Sequence, residues 1–260
     1  MSSHHVLLLG GHGKIAQHLT PLLLQRSWTV TSIIRNPDQV PAVKRLGENQ
    51  RGKLDVLVRS LEDVKSEGQA KSLLDEVKPD YVVWSAGAGG KGGSERTFAI
   101  DRDAAIHFIN AAVATPSITR FLLVSYNSSR RTKPSWWSDE SWKEALHVNN
   151  NVLASYFQAK VAADEELYKA SKKRPDFAGI DLRPGTLTDE PAGKVELGKT
   201  KKSKGVVSRE SVAQVAALLL ESGGVKSGWL DLLDGDEDSE SAVKRVIREG
   251  VDAAEGEAFF

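Results

Sequence analysis

Short apolar segments alternate with longer amphipathic segments along most of this chain. Apolar or β-branched runs predict strands over residues 6–9, 28–34, 54–58, 81–84, 121–124, 180–182 and 229–233. Apolar residues three and four positions apart predict helices over residues 14–26, 64–77, 94–114, 152–170, 208–221 and 239–249. Strands that alternate with helices indicate an α/β fold built on a doubly wound parallel sheet with right-handed crossovers.

Two stretches interrupt this alternation. Residues 127–150 are polar apart from three tryptophans, and residues 188–205 are rich in lysine and glycine. We expect both to form loops beside a substrate. Because no linker is visible, we predict one domain over residues 1–250 with a small C-terminal elaboration, followed by a flexible tail over residues 251–260.

Several side chains in and near these stretches have two possible roles. Aromatic rings can cover a flat or apolar substrate, or they can anchor an insertion to the core. The residues concerned are Trp136, Trp137 and Trp142. We expect a solvated pair of arginines at Arg130 and Arg131, and solvent exposure for Asp101.

The first strand leads directly into a glycine-rich turn and then a helix. The sequence reads Gly10-Gly11-His12-Gly13-Lys14-Ile15-Ala16 after the apolar run. Gly10 allows a tight turn, Gly13 allows the backbone to approach a pyrophosphate, and Ala16 lets the helix pack close to the strand. Free N–H groups and the helix dipole then attract the anion. This segment predicts a phosphate-binding βα unit of the Rossmann type.

The end of the second predicted strand indicates which dinucleotide is bound. An acidic residue there would bind the ribose 2′-hydroxyl of NAD, but the strand ends in Ile34-Arg35-Asn36. A guanidinium can hold the 2′-phosphate of NADP with two hydrogen bonds, although Arg35 could also be an ordinary surface residue. Lys14 could add a second positive charge or be an ordinary residue of the first helical turn. We therefore predict NADP as the cofactor in preference to NAD.

A tyrosine and a lysine occur four residues apart on a predicted helix. Tyr156 and Lys160 share one helix face, so the ammonium is expected to lower the pKa of the phenol and make it a proton donor or acceptor for a carbonyl group. Ser125, at the end of the fifth predicted strand, would orient the same carbonyl. Tyr168 and Lys172 have the same spacing but lie further along the helix and face another direction, so we predict that only the first pair is catalytic.

Taken together, these motifs resemble the atypical short-chain dehydrogenase/reductase superfamily, and most closely its NAD(P)-binding, NmrA-like and epimerase-like group. The resemblance runs from about residue 6 to residue 233 and rests on the glycine turn, the small residues after strand four, Ser125, the Tyr156 and Lys160 pair, and Arg183-Pro184-Gly185. It implies that certain residues contact the cofactor. They are Gly10, Gly13, Lys14, Ile15, Arg35, Asn36, Ser60, Leu61, Ala86, Gly87, Lys160, Pro184, Gly185, Thr186 and Leu187.

The composition excludes several kinds of binding partner and catalytic site. Lys plus Arg and Asp plus Glu both number 35, so we expect no attraction to nucleic acid or to an anionic membrane. The absence of cysteine excludes disulfides, thiolate catalysis and cysteine zinc sites, and the six histidines form no H-E-x-x-H pair, so we predict no metal. With no signal pattern and no long apolar run, we expect a cytoplasmic protein that acts on a small molecule as a monomer or homodimer.

These observations predict an NADP-dependent oxidoreductase. Hydride would pass between the nicotinamide and a carbonyl or hydroxyl carbon, with Ser125, Tyr156 and Lys160 as catalytic residues. Two alternatives share the same binding site. One is a non-catalytic NADP-binding regulatory protein, and the other is a nucleotide-sugar epimerase or dehydratase. The sequence does not identify the substrate, because the loops at the strand ends determine pocket specificity.

Overall fold

The centre of the molecule is an eight-stranded, mostly parallel sheet with helices on both faces. The structure is a computed structural model that describes residues 3–89 and 92–260. Its strands are β1 His5–Leu9, β2 Thr29–Ile34, β3 Lys53–Val58, β4 Tyr81–Trp84, β5 Arg120–Val124, β6 Ala178–Pro184, β7 Thr186–Thr188, β8 Val195–Gly198, β9 Val206–Ser208 and β10 Gly228–Asp234. Its helices are α1 Lys14–Gln25, α2 Val40–Arg45, α3 Glu67–Val77, α4 Gly93–Thr97, α5 Ala105–Val113, α6 Asp139–His147, α7 Ala154–Ser171, α8 Arg209–Glu221 and α9 Ser239–Glu249.

The strand order in the sheet is β3-β2-β1-β4-β5-β6-β10-β8, and only β8 runs antiparallel to its neighbour. This confirms the doubly wound parallel sheet that the sequence predicts. The chain moves outward from β1 to β3 and then returns to β4 on the other side of β1. Open α/β sheets bind ligands at the carboxyl ends of the strands beside such a reversal. Strands β7 and β9 form a separate parallel pair at the same edge.

The sheet is buried on both faces because its strands are apolar at nearly every position. In β1, Val6 and Leu8 join an apolar cluster with α1 and α8, whereas Leu7 and Leu9 join a second cluster with α3 and α5. Successive side chains of a strand point to opposite faces, so one apolar strand can serve both clusters. This packing fixes the strand ends from which the candidate site is built.

Most predicted elements are present, and the differences have local causes. Helix α1 continues through Pro21 without ending, and Ser208 accepts a hydrogen bond from the backbone N–H of Ser211, as expected for the N-cap of α8. The single helix predicted over residues 94–114 is divided by a π-helical segment at Phe98–Ala104. The polar stretch at residues 127–150 contains helix α6 and the start of a second π-helical segment, Val148–Val152.

The C-terminal residues differ from the flexible tail that the sequence suggests. Ala253 and Ala254 are fully buried, and Phe259 packs against Tyr168 and Trp229. The backbone N–H groups of residues 131 and 132 both donate to the side-chain carboxylate of Glu257. The tail is therefore held by contacts with residues far away in the sequence. Among the helices described, none combines the length and the apolar character needed to cross a bilayer.

Candidate active site

Three adjoining cavities follow the carboxyl edge of the sheet. The first cavity, of about 240 Å³, lies between the glycine turn and the ends of β2 and β3. The central cavity, of about 500 Å³, lies between the start of α1, the end of β5 and helix α7. The outer cavity, of about 730 Å³, lies between α6, the end of β6 and the segment before β9. Neighbouring cavities share lining residues, so together they form one continuous groove along the strand ends.

The glycine turn is shaped by close approach of two backbone segments. Gly10 has a φ of +89°, and a Cβ built there would lie 2.7 Å from the backbone of Ala86. The N–H groups of Gly10 and Gly11 both donate to the carbonyl of Ile33 at the end of β2, at 3.2 and 2.9 Å. A side chain at position 10 would push the turn away from the strand ends. The turn is therefore packed closely against the strand ends, and its role in holding a pyrophosphate stays a prediction.

The start of α1 lies beside the loop after β7. Lys14 and Ile15 line the central cavity, and Lys14 is joined to Asp189 at 2.5 Å. Asp189 also accepts a hydrogen bond from Arg209 at 2.7 Å. One carboxylate thus bridges two cations at this end of the groove, so Lys14 is available to an anionic ligand only in competition with Asp189.

Two arginines come from neighbouring strand ends at the first cavity. Arg35 follows β2 and Arg59 follows β3, and both line this cavity together with Ser60 and Leu61. Arg59 was not singled out by the sequence analysis, although its position directly after a parallel strand is a signal that could have found it. Asn36 is predicted to contact the cofactor, but its side chain instead accepts a hydrogen bond from the backbone N–H of Asp38 at 3.0 Å.

Glu62 partly balances the positive charge of the first cavity. Its carboxylate lies 2.8 Å from the guanidinium of Arg96 and 3.5 Å from that of Arg35. The contact with Arg35 is long, and both side chains are substantially exposed. Water screens such a pair strongly, so it holds Arg35 only weakly. The cavity therefore keeps a guanidinium that can turn towards a phosphate.

Ser125, Tyr156 and Lys160 come together where the central and outer cavities meet. All three line the central cavity, and Ser125 and Tyr156 also line the outer one. Lys160 is buried and donates a hydrogen bond to the carbonyl oxygen of Val124 at 2.7 Å. The long insertion between Ser125 and helix α7 thus folds away without separating the predicted catalytic residues. The Tyr156 ring packs against that of Tyr126, with ring centroids 5.3 Å apart.

The electrostatic surroundings of Tyr156 differ from those that the sequence suggests. Burial, followed by the carboxylates of Asp101 and Asp164, raises the pKa of Tyr156 above its ordinary value. The expectation that Lys160 lowers this pKa is therefore not met in the structure. Burial raises the pKa values of Asp101 and Asp164, and the ammonium of Lys160 opposes that rise at both carboxyl groups. A Tyr156 with a raised pKa keeps its proton at neutral pH.

Ser125 has a partner that the sequence did not reveal. Its hydroxyl donates to Asp164 at 2.8 Å, and Ser129 donates to the same carboxylate oxygen at 2.5 Å. Asp164 is fully buried and lies one turn beyond Lys160 on helix α7. Because the proton of Ser125 is already donated, its oxygen offers a hydrogen-bond acceptor to the cavity. Ser125 thus differs from the carbonyl-orienting donor that the sequence predicts.

The segment after β6 forms one wall of the outer cavity. Pro184, Gly185, Thr186 and Leu187 all line this cavity, and Leu187 reaches the central cavity as well. The small residues after β4, Ala86 and Gly87, line both the first and the central cavities. These segments therefore line neighbouring parts of one groove, and their contacts with the cofactor stay a prediction.

Asp101 is buried at the groove, contrary to the solvent exposure that the sequence predicts. It is 1 % exposed rather than solvated, and it lines the central cavity. One carboxylate oxygen accepts a hydrogen bond from the backbone N–H of Ala88 at 2.9 Å, and the other has no hydrogen-bond partner among the described residues. Its position on the π-helical segment explains the error, since a π turn rotates side chains away from the directions of a regular α-helix.

Trp136 and Trp137 anchor the insertion, and none of its three tryptophans is among the residues that line the three cavities. Trp137 is buried and donates its indole N–H to the carbonyl of Thr200 at 2.8 Å. The guanidinium carbon of Arg130 lies 4.7 Å from the Trp137 ring centroid and 5.6 Å from that of Trp136. Arg130 is also buried, which corrects the expectation of a solvated arginine pair. Long-range packing, invisible in the local sequence, accounts for this burial.

The second tyrosine and lysine pair of helix α7 lies away from the site, as predicted. The Tyr168 hydroxyl donates to Asp252 at 3.0 Å, and the Lys172 ammonium lies 4.4 Å from the Tyr168 ring centroid. Both residues line a separate cavity beside the C-terminal residues. The two pairs with the same spacing therefore have different surroundings, one at the groove and one against the tail.

Comparison with known proteins adds independent information. A family model described as NAD(P)H-binding matches residues 10–222. A UPF0659 protein of Schizosaccharomyces pombe is 30% identical over 94% of this chain and 95% of its own length. A Bacillus subtilis protein named uncharacterized sugar epimerase YhfK is 28% identical over 93% of this chain and 99% of its own. A solved structure of a putative NAD-dependent epimerase/dehydratase from Bacillus halodurans superposes with a TM-score of 0.73 at 26% identity, covering 94% of this chain and 100% of that one.

Proposed function

Since this chain belongs to the NAD(P)H-binding family, we propose that it is an NADP-dependent oxidoreductase that transfers a hydride to or from the carbonyl or hydroxyl carbon of a small organic substrate. One observation carries this proposal. Tyr156, with a protonated hydroxyl, lies beside the buried Lys160 where the central cavity opens into the larger outer cavity. A proton donor at the junction of a cofactor groove and a substrate cavity is what carbonyl reduction requires.

The residues along the groove fit a dinucleotide. The glycine turn at Gly10 and Gly13 leads into the backbone N–H groups at the start of α1, which would receive the pyrophosphate. Arg35 and Arg59 would hold the 2′-phosphate from two sides of the first cavity. Lys160 uses only one of its three N–H groups on Val124, so two donors are left for ribose hydroxyls.

The bound nicotinamide supplies or accepts the hydride. The Tyr156 hydroxyl gives its proton to the carbonyl oxygen of the substrate as that oxygen gains negative charge. Lys160 would position the cofactor ribose rather than lower the pKa of Tyr156, which burial and two carboxylates raise. Ser125 donates its own proton to Asp164, so its oxygen is left as a hydrogen-bond acceptor beside the substrate.

The choice of NADP over NAD is tested by Arg35→Met. We expect NADPH to bind about 10- to 100-fold more weakly to this variant, because a charge-assisted hydrogen bond to phosphate is lost, while NADH affinity stays nearly unchanged. Binding can be followed by energy transfer from tryptophan to the reduced cofactor, with Trp84 next to Ser85 at the groove. Arg51→Met, an exposed arginine before β3, is the matched control and should bind both nucleotides as the wild type does. Equal losses for NADPH and NADH in the Arg35 variant would remove the 2′-phosphate role.

The names of two similar proteins favour a second candidate function. The Bacillus subtilis relative is called a sugar epimerase, and the Bacillus halodurans structure is called an epimerase/dehydratase. An epimerase or dehydratase regenerates its cofactor within one cycle, so it gains from keeping the cofactor bound. We expect the supernatant of denatured, purified protein to contain little nucleotide, because the oxidoreductase that we propose must exchange its cofactor. Stoichiometric NAD identified there by mass would favour the epimerase.

A further inference from the structure

The outer cavity indicates a class of substrate for the proposed function. We infer that the substrate carries its carbonyl or hydroxyl group on a largely apolar body that ends in a carboxylate. The inference rests on the proposed oxidoreductase function for the reacting end of the molecule. It rests on the walls and the mouth of the outer cavity for the remainder.

Several hydroxyl groups that line the outer cavity, although not that of Tyr156, donate their protons to other protein groups. Tyr126 donates to the side chain of Asn149 at 2.9 Å, and Ser128 donates to the carbonyl of Ser203 at 3.1 Å. Ser203 in turn donates to the carbonyl of Ser141 at 2.7 Å. A polyhydroxylated ligand such as a sugar needs several donors and acceptors from its site, because unpaired polar groups are costly to bury. Because these hydroxyl protons are already used, the wall offers few donors besides Tyr156, the cations at the mouth and the buried amide nitrogen of Asn127, which has no partner among the described residues. This favours a ligand with few hydrogen-bond acceptors along its body.

The mouth of the outer cavity exposes apolar side chains. Leu153 lines the cavity and is 38% exposed. Three other exposed apolar residues directly adjoin lining residues in the sequence, namely Leu146 beside Ala145, Val152 beside Leu153, and Val206 beside Gly205. Of the large hydrophobic side chains that the structure exposes in its described residues, only Phe260 lies elsewhere. Leu153 therefore brings exposed apolar surface to the cavity, and three further exposed apolar residues flank its lining in the sequence, which favours an apolar ligand.

The same mouth carries positive charge. Lys143 and Lys204 line the outer cavity, and neither ammonium has a carboxylate within 4.0 Å in the described part of the chain. Asp139 acts on Lys143 from a distance, but it is paired directly with Lys133. Arg209 also lines the cavity but is already bonded to Asp189. Glu144 is the only carboxylate among the residues that line this cavity, so the two unpaired ammonium groups favour an anionic end on the substrate.

Binding of a matched pair of probes tests the inference without requiring turnover. The NADP-saturated protein is titrated by calorimetry with ω-hydroxydecanoate and with its methyl ester, which differ only in the charge at one end. We expect the acid to bind about tenfold more tightly than the ester. The double variant Lys143→Gln/Lys204→Gln should lose this preference while keeping its affinity for the ester. The control Lys201→Gln/Lys202→Gln removes two exposed charges of the same loop region that do not line the cavity, and it should keep the preference.

The outcomes distinguish a failure of the inferred substrate class from a failure of the proposed oxidoreductase function. Equal binding of acid and ester, or no saturable binding of the acid, overturns the inferred substrate class. The same conclusion follows if the Lys201/Lys202 control loses the preference as fully as the Lys143/Lys204 variant. If the acid binds as expected but NADPH does not reduce ω-oxodecanoate, the proposed oxidoreductase function fails while the cavity assignment stands.

Discussion

Tyr156→Phe is expected to slow NADPH-dependent carbonyl reduction by about 10²- to 10⁴-fold, the range that general acid catalysis contributes. The phenyl ring keeps the packing against Tyr126, and no hydrogen bond of the Tyr156 hydroxyl to another described residue is lost. NADPH affinity should therefore change little. The measurement is NADPH consumption with the best substrate from a panel of aldehydes and ketones, together with an NADPH titration of each variant.

The chain supplies its own control for this substitution. Tyr168 lies on the same helix, is followed by a lysine at the same spacing, and donates to Asp252. Tyr168→Phe removes that hydrogen bond and should cost about 1 kcal/mol of folding stability without slowing turnover. Wild-type turnover in the Tyr156 variant would remove Tyr156 from the mechanism. Absence of turnover in the wild type itself, with NADPH binding retained, would favour the non-catalytic regulatory protein.

The pH dependence of the reaction follows from the surroundings of Tyr156. Burial and two carboxylates raise the pKa of this phenol above its ordinary value of about 10. The proton needed for reduction is present throughout the neutral range, so kcat/KM for reduction should be flat between about pH 6 and 9. Oxidation of the alcohol needs the deprotonated phenol and should rise with pH into the alkaline range. A plateau of the oxidation rate below pH 8 would contradict the raised pKa.

The local sequence alone was enough to predict the positions of those site residues that lie at strand ends. Gly10, Arg35 and Ser125 each follow a clearly apolar strand, and the parallel sheet brings all such ends to one edge. The choice of Tyr156 over Tyr168 also followed from sequence, because the start of the helix must lie at that same edge. These predictions depend only on periodicity and on the direction of the strands.

The features that sequence did not predict depend on contacts between distant segments. Asp101 becomes buried because a π turn changes its direction, and no pattern in residues 94–114 marks that turn. Arg130 becomes buried because its partners are Asp231 and Ala253, more than a hundred residues away. The pairing of Ser125 with Asp164 needs helix α7 to pack under β5. Such contacts arise only once the whole sheet is assembled.

Asp231→Asn is expected to be the most destabilising of the substitutions considered. Asp231 is fully buried on β10 and joins two buried guanidinium groups, Arg130 at 2.9 Å and Arg183 at 2.9 Å. Burial lowers the pKa of Arg130 to about 10 against the opposing effect of Asp231, so this guanidinium is still charged at neutral pH. Burial also acts to lower the pKa of Arg183, but the carboxylates of Asp231, Asp181 and Asp164 outweigh it and raise that pKa. Both arginines therefore need the charge of Asp231.

Asparagine keeps the shape of the Asp231 side chain but removes its charge, so two buried guanidinium groups lose their shared counterion. Breaking a buried pair from one side typically costs about 3–5 kcal/mol, a large part of the roughly 5–15 kcal/mol that holds a domain folded. The change is measured as the free energy of unfolding in urea. Asp234→Asn, at the exposed end of the same strand, should cost less than about 1 kcal/mol. Equal stabilities of the two variants would mean that the arginines are held mainly by the Trp229 ring, 3.8 Å from the Arg183 guanidinium, and by backbone carbonyls.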